Sequence, residues 1–73
     1  METFAARVKQ LREERGLSQA AVGKEIGVKR YSVYSYENGK GFPDVPHLIA
    51  LAKFFDVSLD YLVGRTDHRE IDR

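Results

Sequence analysis

The apolar residues of this chain recur three and four apart in short runs, and a glycine or a turn cuts each run after a few turns of helix. Phe4, Val8 and Leu11, with Ala5 beside them, predict an amphipathic helix from about Glu2 to Glu14, stopped by Gly16. Ser18 is a good N-cap for a second helix whose buried stripe is Val22 and Ile26 and whose end is Gly27. Lys29 to Asn38 keeps the helical period through Val33 and Tyr36 and stops at Asn38-Gly39. After a turn with Gly41 and Pro43, Asp44 can cap a fourth helix, where Pro46 is tolerated in the first turn because its missing N–H has no partner there anyway. Its predicted stripe is Val45, Leu48, Ile49, Leu51, Ala52 and Phe55. Ser58 caps a last helix, Leu59 to Val63, closed by Gly64. No stretch alternates with period two, so the expected fold is all-α with five short helices.

With 73 residues there is room for one domain, expected over 1–64. Seven of the nine residues from Arg65 to Arg73 are charged or His, which predicts a mobile tail over 65–73. The absence of Cys excludes disulfides and thiolate sites. His47 and His68 are too isolated to act as metal ligands, and His47 reads as a solvated surface residue. No nucleophile, base and orienting group come together, so neither an enzyme nor a cofactor is expected. No run resembles a signal peptide or an 18-residue membrane span, and a cytoplasmic location is expected. The net charge of +1 hides an asymmetry: residues 1–40 hold eight bases against five acids, net +3, and residues 41–73 hold four against six, net −2. A basic first half points toward nucleic acid.

The informative segment runs from Gln19 to Asn38. Two helices crossing steeply need a small residue where their backbones approach, a turn residue that tolerates positive φ, and apolar wedges. Gly23, Gly27 and the set Val22, Ile26, Val28, Val33 and Tyr36 supply these in turn. With the flanking text RVKQLREERGLSQAAVGKEIGV, SVYSYENGKGFPD and LIALAKFFDVSLDYLVGRTD, the chain resembles the Cro and phage-repressor type of helix-turn-helix proteins, the xenobiotic-response-element family, over residues 4–67. The resemblance implies a lambda-repressor-like DNA-binding domain whose third helix lies in the major groove of duplex DNA.

On that helix Arg30, Tyr34, Asn38, Tyr31 and Ser35 fall within roughly 140° of arc, while Ser32, Tyr36 and Val33 face the other way. The resemblance assigns base reading to Arg30, Tyr31, Tyr34 and Ser35. Arg30 can take a guanine bidentately, the tyrosines can bond through their hydroxyls and touch a thymine methyl, and Ser35 chiefly permits approach. It assigns phosphate contact to Gln19, Lys29, Asn38, Gly39 and Lys40. Arg12 and Glu37 match a family pair that orients the recognition helix. If the pair is buried, losing one partner costs about 3–5 kcal/mol.

Three positions depart from the family pattern. Ala21 stands where a Glu often completes a capping box, Lys29 replaces a Ser or Thr cap, and Gly23 replaces Ala at roughly 1 kcal/mol of helix propensity. The expected function is a repressor binding a palindromic operator as a homodimer through the C-terminal helices, with Phe54, Phe55, Tyr61 and Val63 as candidate contacts. An antitoxin-like or controller regulator, and a protein-interaction module anchored on Tyr31 and Tyr34, are the alternatives.

Overall fold

The computed structural model describes residues 2–71. Five helices follow in order: α1 (Glu2–Glu14), α2 (Gln19–Ile26), α3 (Arg30–Glu37), α4 (Val45–Phe55) and α5 (Leu59–Leu62), with no strand among the described residues. Side-chain caps hold the N-termini of α2, α4 and α5. The Ser18 hydroxyl accepts from Ala21 N–H at 3.0 Å, Asp44 Oδ1 from His47 N–H at 3.0 Å, and Ser58 Oγ from Tyr61 N–H at 2.9 Å. Each supplies an acceptor to an N–H that the helix leaves open. Gly27 ends α2 at φ +83°, and the N–H groups of Gly27 and Val28 both bond the Gly23 carbonyl. Asp56 ends α4 at φ +54°, a left-handed conformation that a non-glycine residue adopts at a cost.

The core gathers the inward stripes of all five helices around Phe4, Val8, Val22, Val33, Leu51 and Leu62, each fully enclosed. Two expectations for α4 and α5 change here. Val45 and Ile49, assigned to its buried stripe, are exposed at 66% and 37%, because the inward arc is taken by Leu51, Ala52 and Phe55. Conversely, Phe55 and Tyr61, expected at a dimer contact, are buried at 3% and 6% exposure and belong to the core. Phe54 is half-buried beneath Arg15, whose guanidinium lies 5.3 Å from its ring and donates to its carbonyl at 2.9 Å. Val63 is half-buried at the C-cap of α5.

The charged segment after Gly64 is docked rather than free over its described length. Ser58 N–H donates to the Arg69 carbonyl at 2.8 Å. Arg69 makes a two-pronged contact with Glu14, at 2.9 and 2.7 Å, and donates to the Tyr61 hydroxyl at 3.2 Å. Arg7 donates to the Tyr61 and Thr66 carbonyls and to Asp67. Its guanidinium also lies 4.1 Å from the Tyr61 ring. The bidentate contact of Arg69 with Glu14 ties this strap to α1, a link that charge density along the chain does not predict. Asp72 and Arg73, the end of the expected tail, lie outside the described residues.

Candidate nucleic-acid interface

The placement of α3 begins at the α2–α3 turn. A Cβ built on Gly23 would come within 2.6 Å of the Val28 carbonyl oxygen, a backbone atom, so the two helices approach as closely as they do only with glycine there. On its inner side α3 buries Val33 and Tyr36, and the Tyr36 ring meets Phe4 edge-on at 6.2 Å. Burial raises the Tyr36 phenol above its usual range, and the nearby Asp44 charge adds to this.

A second restraint holds the far end of α3. Arg12 Nε and Nη2 donate to the two Glu37 oxygens at 2.6 and 3.0 Å, and Arg12 Nη1 donates to the Leu17 carbonyl at 2.8 Å. The Glu37 side chain is 2% exposed and that of Arg12 15%, which makes this a buried, bidentate pair joining α1 to α3. The hydrogen bond to Glu37 raises the Arg12 guanidinium further above its ordinary value, keeping it charged. Gln19 joins the same network, its Nε2 donating to Glu37 Oε1 at 3.2 Å. Sequence reasoning assigned Gln19 to a phosphate alone and missed this bond. A Gln and a Glu eighteen residues apart carry no local spacing that announces it.

The outer side of α3 is open. Arg30 is exposed, Tyr31 is 72% exposed and Tyr34 39%. The two tyrosine rings stack, with centroids 6.1 Å apart and planes inclined by 29°. Together with Arg30 they line a shallow groove of about 220 Å³. The Lys40 ammonium lies 5.8 Å from the Tyr34 ring centroid. Ser35 is turned toward the following loop: its hydroxyl lies 2.7 Å from where a Gly41 Cβ would stand. Asn38 spends one amide N–H on the Tyr34 carbonyl at 2.8 Å, and Gly39 turns the chain at φ +68° so that Lys40 N–H reaches the Ser35 carbonyl at 3.0 Å. Lys29 precedes the helix with no side-chain cap bond. The structure thus brings Arg30, Tyr31, Tyr34 and Lys40 onto one surface and turns Ser35 and part of Asn38 and Gln19 toward the protein.

His47 is partly exposed, in keeping with a solvated surface position, and its Nδ1 lies 2.6 Å from Asp44 Oδ1. No group of three His, Asp or Glu residues able to hold a metal occurs among the described residues, nor any helix long and apolar enough to cross a membrane.

Residues 8–62 match the helix-turn-helix family. Among curated proteins the chain is similar to the HTH-type transcriptional regulator YobD of Bacillus subtilis (strain 168), at 34% identity over 64 residues, covering 88% of this chain and 57% of that protein. It is also similar to the HTH-type transcriptional activator BcrR of Enterococcus faecalis, at 33% identity over 61 residues, covering 84% of this chain and 30% of that one. Among solved structures it resembles the P22 c2 repressor in complex with a synthetic operator, at TM-score 0.80 and 31% identity, covering 85% of this chain and 94% of that chain. The chain therefore spans about half or less of the length of these curated relatives.

Proposed function

The chain belongs to the helix-turn-helix family, and from that premise we propose that it is a sequence-specific regulator that binds double-stranded DNA through α3. The observation that carries this reading is the exposed face of α3, where Arg30, Tyr31 and Tyr34 line one groove, Lys40 lies against the Tyr34 ring, and neither cation is engaged in an ion pair among the described residues. Unpaired cations beside exposed aromatic rings make a surface suited to phosphates and base edges. Arg30, Tyr31 and Tyr34 read bases, while Lys29, Lys40, the Gly39 backbone and the remaining N–H groups of Asn38 and Gln19 hold the phosphate backbone, with Ser35 leaving room for the approach. The Arg12–Glu37 pair, with Gly23 and Gly27, sets the angle of α3.

One such domain buries only about 600–1,000 Å² on DNA, so a homodimer on a palindromic operator, with half-sites about 34 Å apart, doubles the contact. With Phe55 and Tyr61 in the core, the contacting face is the exposed apolar strip of α4 and α5, Val45, Ile49 and Leu59, continued by Ile71 of the strap. Repression is the proposed sign, because occupying a promoter needs no further surface. The named activator BcrR has most of its length outside the matched region. The P22 c2 repressor, seen on its operator, matches almost throughout.

A salt titration of duplex binding tests the reading. With two or three cations per protomer neutralising phosphates, log K should fall with log salt at a slope of roughly −2 to −3 per protomer. Affinity insensitive to salt would overturn it.

A further inference from the structure

Away from α3, the second half of α4, the turn into α5 and the strap enclose a groove of about 330 Å³, within the roughly 300–1,000 Å³ of small-molecule sites. Its floor is Ala52 and Val57, both buried, and its walls are Ile49, Leu59 and Ile71, all exposed. Ala52 gives the groove depth, since one methyl stands where a longer side chain would fill the space. The strap holds Ile71 as a wall through the Ser58 N–H bond to the Arg69 carbonyl and through the Arg69–Glu14 pair. Two polar side chains also line the groove, and one of them is already engaged. The Ser58 hydroxyl accepts from Tyr61 N–H at 2.9 Å and donates to the His68 carbonyl at 3.4 Å. Lys53 is exposed, lies one turn beyond Ile49 on the same side of α4, about 6 Å along its axis, and is in no ion pair among the described residues. The nearby acids Asp56 and Glu70 line a separate groove that shares only Ile71 with this one.

An apolar trough with one ammonium at its rim complements an amphipathic anion. The trough takes about ten groups of water or methylene size, at roughly 30 Å³ each, and the ammonium takes a carboxylate. A second copy of the chain meets the need less well. The strip Val45, Ile49, Leu59 and Ile71 holds no acid, so a copy laid against it by two-fold symmetry leaves Lys53 without a counter-charge. We propose that this groove binds a free medium-chain aliphatic carboxylate, its tail among Ile49, Leu59 and Ile71 and its head on the Lys53 ammonium, and that the ligand competes there with a second protomer. The binding site stands on the groove alone, whereas the competition rests on the proposed dimer face.

Calorimetry on the full chain with decanoate tests the site, and amide chemical shifts locate it. Affinity should rise about two- to fourfold per methylene from hexanoate to decanoate, fourfold being the value of full burial. Lys53→Met should weaken decanoate about three- to fivefold while Lys53→Arg retains it, and decylammonium, with the same tail and the opposite charge, should bind about fivefold more weakly or worse. The shifts should centre on Ile49, Ala52, Val57 and Leu59. Shifts centred on Tyr31 and Tyr34 would show an anion drawn to the cations of α3, and equal affinity for the two head groups would show a tail adsorbed without a site; either overturns the proposal. No decanoate binding overturns it too, and in a chain whose dimer Leu59→Glu breaks would assign the groove to a second copy. Sedimentation on an operator duplex reads the competition, because decanoate should take the complex from two protomers to one. Two protomers retained with decanoate bound would overturn the competition and leave the site standing. One protomer per duplex without any ligand would overturn the dimer and the competition together, while calorimetry decides the site.

Discussion

At the scale of single residues, position 23 shows how local preference and tertiary geometry pull apart. Helix propensity favours alanine there by about 1 kcal/mol. The Val28 carbonyl, 2.6 Å from where the new methyl would stand, is backbone and cannot swing aside. Overpacking of this kind costs about 1–3 kcal/mol, so Gly23→Ala should lower stability by about 1 kcal/mol net in chemical denaturation. A stabilised variant would show that the turn shifts freely. The missing helix-propensity contribution at this position is thus the condition for the close crossing of α2 and α3.

At the scale of elements, the two ends of α3 differ in how they are held. Its C-terminal end has the buried Arg12–Glu37 pair, while its N-terminal end has Lys29 without a side-chain cap. Lys29→Ser should stabilise the domain by about 0.5–1 kcal/mol through a new cap, while making the salt dependence of duplex binding shallower by about one unit of slope. Thermal melts and binding isotherms on the same variant check both, and a gain of stability with an unchanged slope would free Lys29 from any phosphate.

The strap from residue 65 onward behaves as a further element. Hydrogen bonds from Arg69 hold the Glu14 carboxyl below the usual carboxylate range. A carboxyl depressed in the folded state adds stability that is complete above its unfolded value, about 4.3, and disappears as pH falls through the folded one. Glu14→Gln should therefore destabilise the chain at neutral pH and flatten its pH dependence below about pH 4.3, the two curves converging in acid. A residual acid dependence is expected from Asp44, whose carboxyl is likewise lowered, chiefly by the His47 backbone N–H. Coincident curves for variant and parent would show that the Glu14–Arg69 pair contributes nothing to stability.

At the scale of the whole molecule, the exposed apolar strip of α4 and α5 lies on a different set of helices from the cationic face of α3. A charge placed in that strip should separate assembly from DNA contact. Leu59→Glu, at a position 40% exposed, should keep the fold while shifting sedimentation on an operator duplex from two protomers to one. A parent chain that loads one protomer per duplex at saturation would dismiss the dimer.

The amino-acid sequence by itself determined the five helices and nearly all of their ends. Ser18, Gly27, Asp44 and Ser58 act on neighbours within a few residues, and such signals survive without any knowledge of the fold. It likewise singled out α3 and the outward set of Arg30, Tyr31 and Tyr34, because the period of a helix sorts one face from the other. Tertiary structure alone decided which apolar residues of α4 and α5 meet the core, since several short helices compete for one small interior and the choice between Phe55 and Ile49 depends on where the other helices lie. It alone joined Gln19 to Glu37 and Arg69 to Glu14, across 18 and 55 residues. Those bonds follow from the path of the chain through space, and no spacing along it records them.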